Sequence, residues 1–464
     1  MLTTLLAFAV TLGILIAVHE YGHYKVAVLC GIKVLKFSIG FGKPIYSWRL
    51  KGKPTEFSIG FLPLGGYVRM LDERESPVDA SERHLAFNTQ PLKVRAAVVA
   101  AGPAANLLLA VLIYALVNWI GMQEPKAILA SPVVGSVAEL AGLRGQDFVT
   151  QAGFEGEELE PVQSFESLRW QLTHGALDGR DLQLVVGTAA SGASGNSDTA
   201  SIRPRTVLLP LSRINAREAD AQLFQKIGIL GPWTAPVLGD VMEGSPAQKS
   251  GLRAGDFVER VNTLVIVDGQ QLRQIIRTSP TTGTPLVQRW DIIRSGQQIR
   301  IDVLPELRTD NGVTAARIGA YIGAPPEMVT VRYGFFDGLL QGAKRTWDVS
   351  ALTLKMMGRM LIGEASLKNL SGPITIADYA GKSVNLGLTS YLLFLALISV
   401  SLGVLNLLPL PVLDGGHLMY YLWEGITGRG VSLVWMERLQ RGGVAILLSM
   451  MAIAMFNDIA RILA

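Results

Sequence analysis

Four stretches of this chain carry no charged side chain, and they constrain what it can fold into more than any other feature. Met1–Val18, Ala96–Gln123 and Val384–Leu413 reach, or nearly reach, the ~20 apolar residues a helix needs to cross about 30 Å of hydrocarbon. Gly442–Asn457 has only 16 uncharged residues. It spans only by tilting, by thinning the bilayer, or with Arg441 and Arg461 snorkelling to the interface. A buried core helix is the other structure such runs form, and that alternative weighs most on the last one. Met1–Val18 lacks a basic leading segment and a small-x-small cleavage site, so it reads as a retained membrane helix rather than a signal peptide.

Composition agrees. Charged residues make up 17% of the chain and apolar residues 49%, where soluble domains carry about a quarter charged. A net charge of +4 with no basic, aromatic-interleaved block argues against nucleic-acid binding. The single cysteine, Cys30, excludes an intramolecular disulfide. Between Tyr24 and Arg95 there are 12 Lys and Arg against 6 Asp and Glu, with Lys25, Lys93 and Arg95 beside the membrane ends. The positive-inside rule puts that loop in the cytoplasm, residues 124–383 outside, and Asp414–Arg441 inside again. The ends of the first and third spans then lie on the same, cytoplasmic, side.

Residues 124–330 read as water-soluble and contain an internal repeat. Gly135–Val149 and Gly244–Val258 agree at 9 of 15 positions, 109 residues apart. Each offers a small-residue turn, a short helix, Gly-Leu-Arg, and an Asp leading into a strand. The pattern resembles the PDZ domain in its circularly permuted bacterial form, which binds extended peptides by strand addition; a pair that only blocks access to the membrane part leaves the same trace. Gln146 stands where the second copy has Gly255, which puts the first copy's turn in question. The segment Thr188–Ser201 reads as a flexible loop by composition. Tyr333–Leu367 has helical periodicity with a basic face, as expected of a helix on the outer membrane surface or of one packed on the soluble domain.

The chemistry starts where the first span ends, at His19-Glu20-Tyr21-Gly22-His23. Positions i and i+4 share a helix face, so His19 and His23 can hold one metal ion, and Glu20 can serve its water as general base. Charge at that depth costs about 2.5–3.5 kcal/mol on insertion scales and calls for a compensating partner such as a metal. A catalytic zinc takes three protein ligands. Asp414 and His417 are the candidates on the right side of the membrane, after Pro409 and Pro411 have broken the third helix and beside the Gly415-Gly416 turn. Gly102-Pro-Ala-Ala-Asn106 in the second span permits close helix approach. Val34–Met70 alternates and is punctuated by glycines, so β-hairpins are expected, with an edge strand near Gly65, Gly66 and Tyr67 able to hold an unwound substrate extended.

An HExxH in the first span and an Asn-Leu-Leu-Pro-Leu-Pro-Val-Leu-Asp-Gly-Gly-His segment in the third resemble the site-2 protease family of intramembrane metalloproteases. The tandem PDZ-like pair between the second and third spans resembles its regulator-of-sigma-E branch. The resemblance implies that His19, His23 and Asp414 bind Zn2+, that Glu20 activates water, and that Asn406 contacts the substrate backbone. His417 is then structural. It also implies a membrane-reentrant β-sheet at Val34–Met70 and a Gly102–Asn106 segment packed near the active site. The implied partners are the lipid bilayer and membrane-embedded substrates, namely anti-sigma factors and remnant signal peptides, at the bacterial inner membrane with the PDZ domains periplasmic.

The expected fold is therefore a multi-pass α-helical membrane protein of about four transmembrane helices, with a cytoplasmic or reentrant β-hairpin segment and two α/β PDZ-like domains outside. Its parts are the first span (1–24), the cytoplasmic loop with hairpins (25–95), the second span (96–123), the PDZ-like domains (124–212 and 213–308), a linker with the surface helix (309–383), the third span with Asn406 and Asp414 (384–417), and a cytoplasmic loop with the fourth span (418–464). Two rival classes remain. A non-catalytic scaffold recruiting peptides through PDZ domains has no use for Glu20 or Asp414, and a zinc carrier needs more than five His and one Cys.

Overall fold

The computed structural model describes residues 2–52, 54–188, 204–214, 221–278, 286–310, 313–362 and 372–463. The chain divides into a unit of Met1–Gly121 with Arg332–Ala464 and a unit of Met122–Val331. Among the described residues of the first unit, four helices are long and apolar enough to cross a membrane: Leu2–Leu29, Leu92–Ile120, Leu388–Asn406 and, within Leu433–Leu463, Val434–Arg461. The short uncharged run of the fourth span thus lies within a longer helix whose ends carry charge, and its length no longer argues against crossing.

The second span is the hub, touching the first and third spans and the helices Phe335–Leu361 and Asp414–Thr427. The first span buries Ala7, Thr11, Leu15 and Gly22 along one side, while Leu2, Leu5, Leu6, Val10 and Ile14 stay exposed. In a membrane protein such an apolar outer face meets lipid, which costs nothing to leave unpacked. With no hydrophobic drive between spans, close backbone approach and hydrogen bonds hold them. A Cβ on Gly22 would overlap the Ala101 carbonyl oxygen and stand 2.8 Å from the Ala105 Cβ. Thr11 Oγ1 lies 2.9 Å from the Tyr391 hydroxyl, and the Ser399 hydroxyl donates to the Asn106 carbonyl at 2.7 Å.

The helix expected in Tyr333–Leu367 occupies Phe335–Leu361, and the partner it packs along is the second span, which was not foreseen. A Cβ on Gly342 would stand 2.7 Å from the Val111 carbonyl oxygen, and the Asn118 amide and Trp119 indole donate to the Gly338 and Phe335 carbonyls at 3.0 Å each. Residues 363–371, into which its expected range runs, lie outside the described residues.

A further helix, Pro373–Asn385, was not foreseen in the stretch read as linker. It packs on the first, third and fourth spans. Its start carries the favoured Pro at the first turn, but its orphan donors are satisfied from a distance. Asp458 of the fourth span, 1% exposed, accepts from the backbone N–H of Gly372, Ile374 and Thr375 at 2.9–3.0 Å and from the Thr375 hydroxyl at 2.5 Å.

Val34–Arg49 and Glu56–Met70 form one hairpin that folds back on itself, where several hairpins were expected. Lys36–Ile39 pairs with Gly66–Arg69 on one side and with Glu56–Ile59 on the other, and Tyr46–Arg49 pairs with Glu56–Ile59 in turn. The stretch Gly66–Met70 is therefore an outer ribbon with an edge that no described strand pairs. Tyr24, Phe37 and Phe57 stack edge-on beneath the hairpin at 5.5–5.7 Å, while Phe41, Ile45, Tyr46 and Phe61 on its bend are exposed.

In the unit Met122–Val331 the repeat is structural as well as sequential. Each copy builds a four-stranded sheet with the same connectivity. Glu160–Pro161, Asp147–Phe154, Leu182–Thr188 and Arg205–Leu209 follow in order in one; Leu264–Val265, Phe257–Val261, Gln288–Arg294 and Gln297–Val303 follow in the other. Ser136 and Ser245 cap the two short helices. Asp147 and Asp256 each accept the N–H of the preceding Gly-Leu-Arg arginine, at 2.7 and 2.8 Å, and each is clamped by a later arginine, Arg205 or Arg294. Gln146 keeps the turn that Gly255 makes, at φ 71° against 88°. Residues 189–203, which hold nearly all of the loop expected at 188–201, lie outside the described residues.

Replacing Asp458 by Ala should strip the cap from the Pro373–Asn385 helix and lower stability by about 1–2 kcal/mol, the scale of a lost N-cap. Thermal unfolding in detergent checks this, and limited proteolysis should find new cuts within residues 373–385.

Candidate metal centre

Three side chains from two distant parts of the sequence converge beside the last third of helix Leu2–Leu29. The Nε2 atoms of His19 and His23 lie 3.2 Å apart, and the Asp414 Oδ2 lies 3.1 Å from the first and 3.5 Å from the second. Among the described residues this is the one group of three or more His, Cys, Asp or Glu that can hold a metal ion. The side chains are 11%, 12% and 19% exposed. Ligand atoms at about 2.0–2.1 Å from a tetrahedral zinc stand roughly 3.3–3.4 Å from one another, so the three distances fit one ion shared by all. The donor set, two imidazoles and a carboxylate, is also zinc's.

Local sequence explains how each ligand arrives. Spacing of i and i+4 puts both histidines on one helix face, with rings edge-on at 4.9 Å and 84°. The second span makes room for them. Val98, Gly102 and Asn106 lie at i, i+4 and i+8 and form one stripe along that helix. A Cβ on Gly102 would overlap His23 Nε2 and stand 2.6 Å from its Cε1 and 2.9 Å from His19 Cε1. The Val98 carbonyl is 2.8 Å from His23 Nδ1. That acceptor keeps the ring proton on Nδ1 and leaves Nε2 free for a metal. The Asn106 amide is 3.2 Å from His19 Nδ1.

Asp414 arrives through a break. The third span ends at Asn406, and Pro409 and Pro411 keep the chain from continuing as helix. The turn closes with Leu413 donating to the Leu410 carbonyl at 2.9 Å, and a new helix, Asp414–Thr427, begins at the carboxylate itself. An anion in a first helical turn is favoured by the N-terminal dipole. Gly415 and Gly416 permit this, because a Cβ on either would overlap the Leu407, Leu408 or Leu410 carbonyls. Arg95 anchors the new helix by a fork to Glu424, at 2.5 and 3.2 Å, with its guanidinium 5.0 Å from the Tyr421 ring.

Glu20 follows the first histidine and is half-buried. A Cβ on Gly66 would stand 2.8 Å from Glu20 Cγ, so the outer ribbon of the hairpin, with its one open edge, passes over the glutamate. Gly65 lies under the Phe41 ring at φ 102°, and Tyr67 stacks on Phe41 at 6.3 Å.

The structure brings His19, His23 and Asp414 together and lays Gly66 against Glu20. His417, the other candidate third ligand, is not part of the cluster and meets Tyr420 ring-to-ring at 6.0 Å. Asn406 ends the third helix, and no hydrogen bond joins it to the three ligands. The spacing in Gly102–Asn106 indicated close helix packing and the resemblance a place near the active site, but neither named the contacts that Gly102 and Asn106 make with His23 and His19. The i, i+4, i+8 stripe was the signal that Val98, Gly102 and Asn106 face one target.

Fold and site together define a metalloprotease embedded in the membrane. The chain belongs to peptidase family M50, whose model matches residues 7–450. It is 39% identical to the protease RseP of Yersinia pestis over 476 residues, 99% of each chain. It is 38% identical to the regulator of sigma-E protease RseP of Escherichia coli over 477 residues, 99% of this chain and 98% of that one. A protein of Ralstonia nicotianae named as a zinc metalloprotease is 40% identical over 473 residues, 99% of this chain and 98% of that one. The chain is thus a site-2-type metalloendopeptidase.

The Gly102→Ala change should push the histidines out of register and cost more than about tenfold in zinc affinity, on the scale of second-layer changes around a metal. Chelator competition on purified protein measures it. Gly13→Ala, at a first-span glycine with nothing within 4 Å, should leave affinity unchanged.

Proposed function

We propose that this chain is an intramembrane zinc endopeptidase of the bacterial inner membrane that cuts single-span proteins of the anti-sigma-factor class and remnant signal peptides. The observation that carries this reading is the convergence of His19, His23 and Asp414 beside Glu20. The names of the relatives, regulators of sigma-E, support the substrate class, and the basic loop supports a site on the cytoplasmic side.

His19, His23 and Asp414 hold the ion. Bound there, zinc supplies a Lewis acid for the scissile carbonyl and acidifies its water. Glu20 accepts the proton of the attacking water and returns one to the leaving amine. A transmembrane substrate hides its peptide bonds in i to i−4 hydrogen bonds, so it must be unwound before it is cut. The open edge of the ribbon at Gly65, Gly66 and Tyr67 holds the unwound segment as an added strand and places it over Glu20. Asn406 steadies the substrate backbone. The two repeated sheets of the soluble unit are PDZ-like domains that admit substrates whose outer part is already trimmed. Their matching strand order and the equivalent Asp147–Arg205 and Asp256–Arg294 clamps support that assignment.

Glu20→Gln removes the base and keeps the ligands. Cleavage of a tagged single-span substrate in membranes should fall by about 10²–10⁴-fold, the usual weight of general-base catalysis, with zinc content unchanged. Undiminished cleavage would remove Glu20 from the mechanism, and a wild type without zinc would favour a non-catalytic scaffold.

A further inference from the structure

We infer that Arg95 is a positioning residue for Asp414: by gripping Glu424 it fixes the rotation of helix Asp414–Thr427 and so aims the third ligand at His19 and His23. The inference rests on the reading of those three side chains as metal ligands. On the second span Arg95, Val98, Gly102 and Asn106 lie at i, i+3, i+7 and i+11, one stripe of a helix with 3.6 residues per turn. Gly102 makes room for the two histidines, and Val98 and Asn106 face their Nδ1 atoms. Arg95 extends the same stripe and holds the other half of the site.

On the helix that Asp414 opens, Tyr421 and Gly425 follow at i+7 and i+11 and share its face. That face meets the second span. The Arg95 guanidinium stands 5.0 Å from the Tyr421 ring and donates from Nη1 and Nη2 to the two Glu424 oxygens at 3.2 and 2.5 Å. A Cβ on Gly425 would stand 3.3 Å from Leu92 Cδ2. Arg95 is itself held, since its Nε donates to the Gln90 carbonyl at 3.1 Å. Little else fixes how the helix is turned. Of its 14 residues only Gly415, Gly416 and Tyr420 are buried, and two glycines offer no side chain to interlock. Side-chain tips stand roughly 5–6 Å from a helix axis, so a turn of about 10° carries the Asp414 carboxylate about 1 Å. A functional constellation tolerates about 0.5 Å. A two-pronged Arg–carboxylate pair fixes direction as well as distance, and this one is largely shielded from water. One face of the second span thus registers both halves of the site against each other.

The test is metal affinity rather than turnover. Zinc binding by the full-length protein in detergent is measured by chelator competition, together with the visible spectrum of the Co2+-loaded form. The proteins are wild type, Glu424→Gln, Arg95→Lys, Asp458→Ala and His19→Ala. Gln keeps the shape of Glu but puts a donor in place of one acceptor, and Lys keeps the charge of Arg without its fork. Each should cost about tenfold in affinity, the low end for groups that orient a ligand from behind, and shift the cobalt bands. Asp458→Ala loosens the fold elsewhere, and should lower the unfolding temperature with affinity and bands unchanged. If one of the two pair variants fails to fold, the other decides. Wild-type affinity and bands in either folded pair variant, with binding lost in His19→Ala, would overturn this inference and leave the metal site standing. So would an equal loss in Asp458→Ala, which marks a general loosening. Equal binding by wild type and His19→Ala would overturn the metal site itself.

Discussion

The structure turns on a close approach between two membrane helices. The first span carries two histidines and a glutamate in its last third, and such groups are tolerable in a bilayer only if they meet partners. The second span supplies room for them at Gly102 and a carbonyl at Val98. Gly22 lets the two backbones approach near Ala101. The gap at Gly102 and the contact at Gly22 depend on missing side chains, and a methyl group at either would collide with its neighbour. In a medium where apolar surface gains nothing from burial, this steric fit replaces the hydrophobic drive of a soluble core.

Around that contact the remaining elements act as props. Helix Asp414–Thr427 delivers its carboxylate at its own first turn, where the dipole favours an anion, and Arg95 fastens its far end to the second span through Glu424. The hairpin leaves the outer edge of Gly66–Met70 open and lays that ribbon across Glu20. An open edge is normally a hazard, and this one lies against Glu20.

Much of this was legible in the sequence because the signals are local. Spacing of i and i+4 joins His19 to His23, uncharged runs mark the spans, and Gly135–Val149 repeats as Gly244–Val258. Even the departure at Gln146 proved conservative in backbone terms, since a left-handed turn can be made by a polar residue at some cost. What was not legible was long-range. Nothing local says that residues 56–59 sit between two parts of the same strand, that Asp458 caps a helix some eighty residues earlier, or that Asn106 faces His19. Each pairs groups far apart in the chain through a contact only packing creates.

The sequence by itself determined the membrane habit, the residue types of the candidate metal site and the repeat, because hydropathy and helical period act over a few residues. Only the tertiary structure decided that the group brought beside the two histidines is Asp414 and not His417, three residues on. Asp414 and His417, at i and i+3, lie on one side of the new helix, so helical period does not separate them; which of the two reaches the histidines is fixed by where that helix starts and how it packs on the second span. The same packing selected the stripe Val98, Gly102 and Asn106 to shape the site, since a stripe has a function only once it faces something.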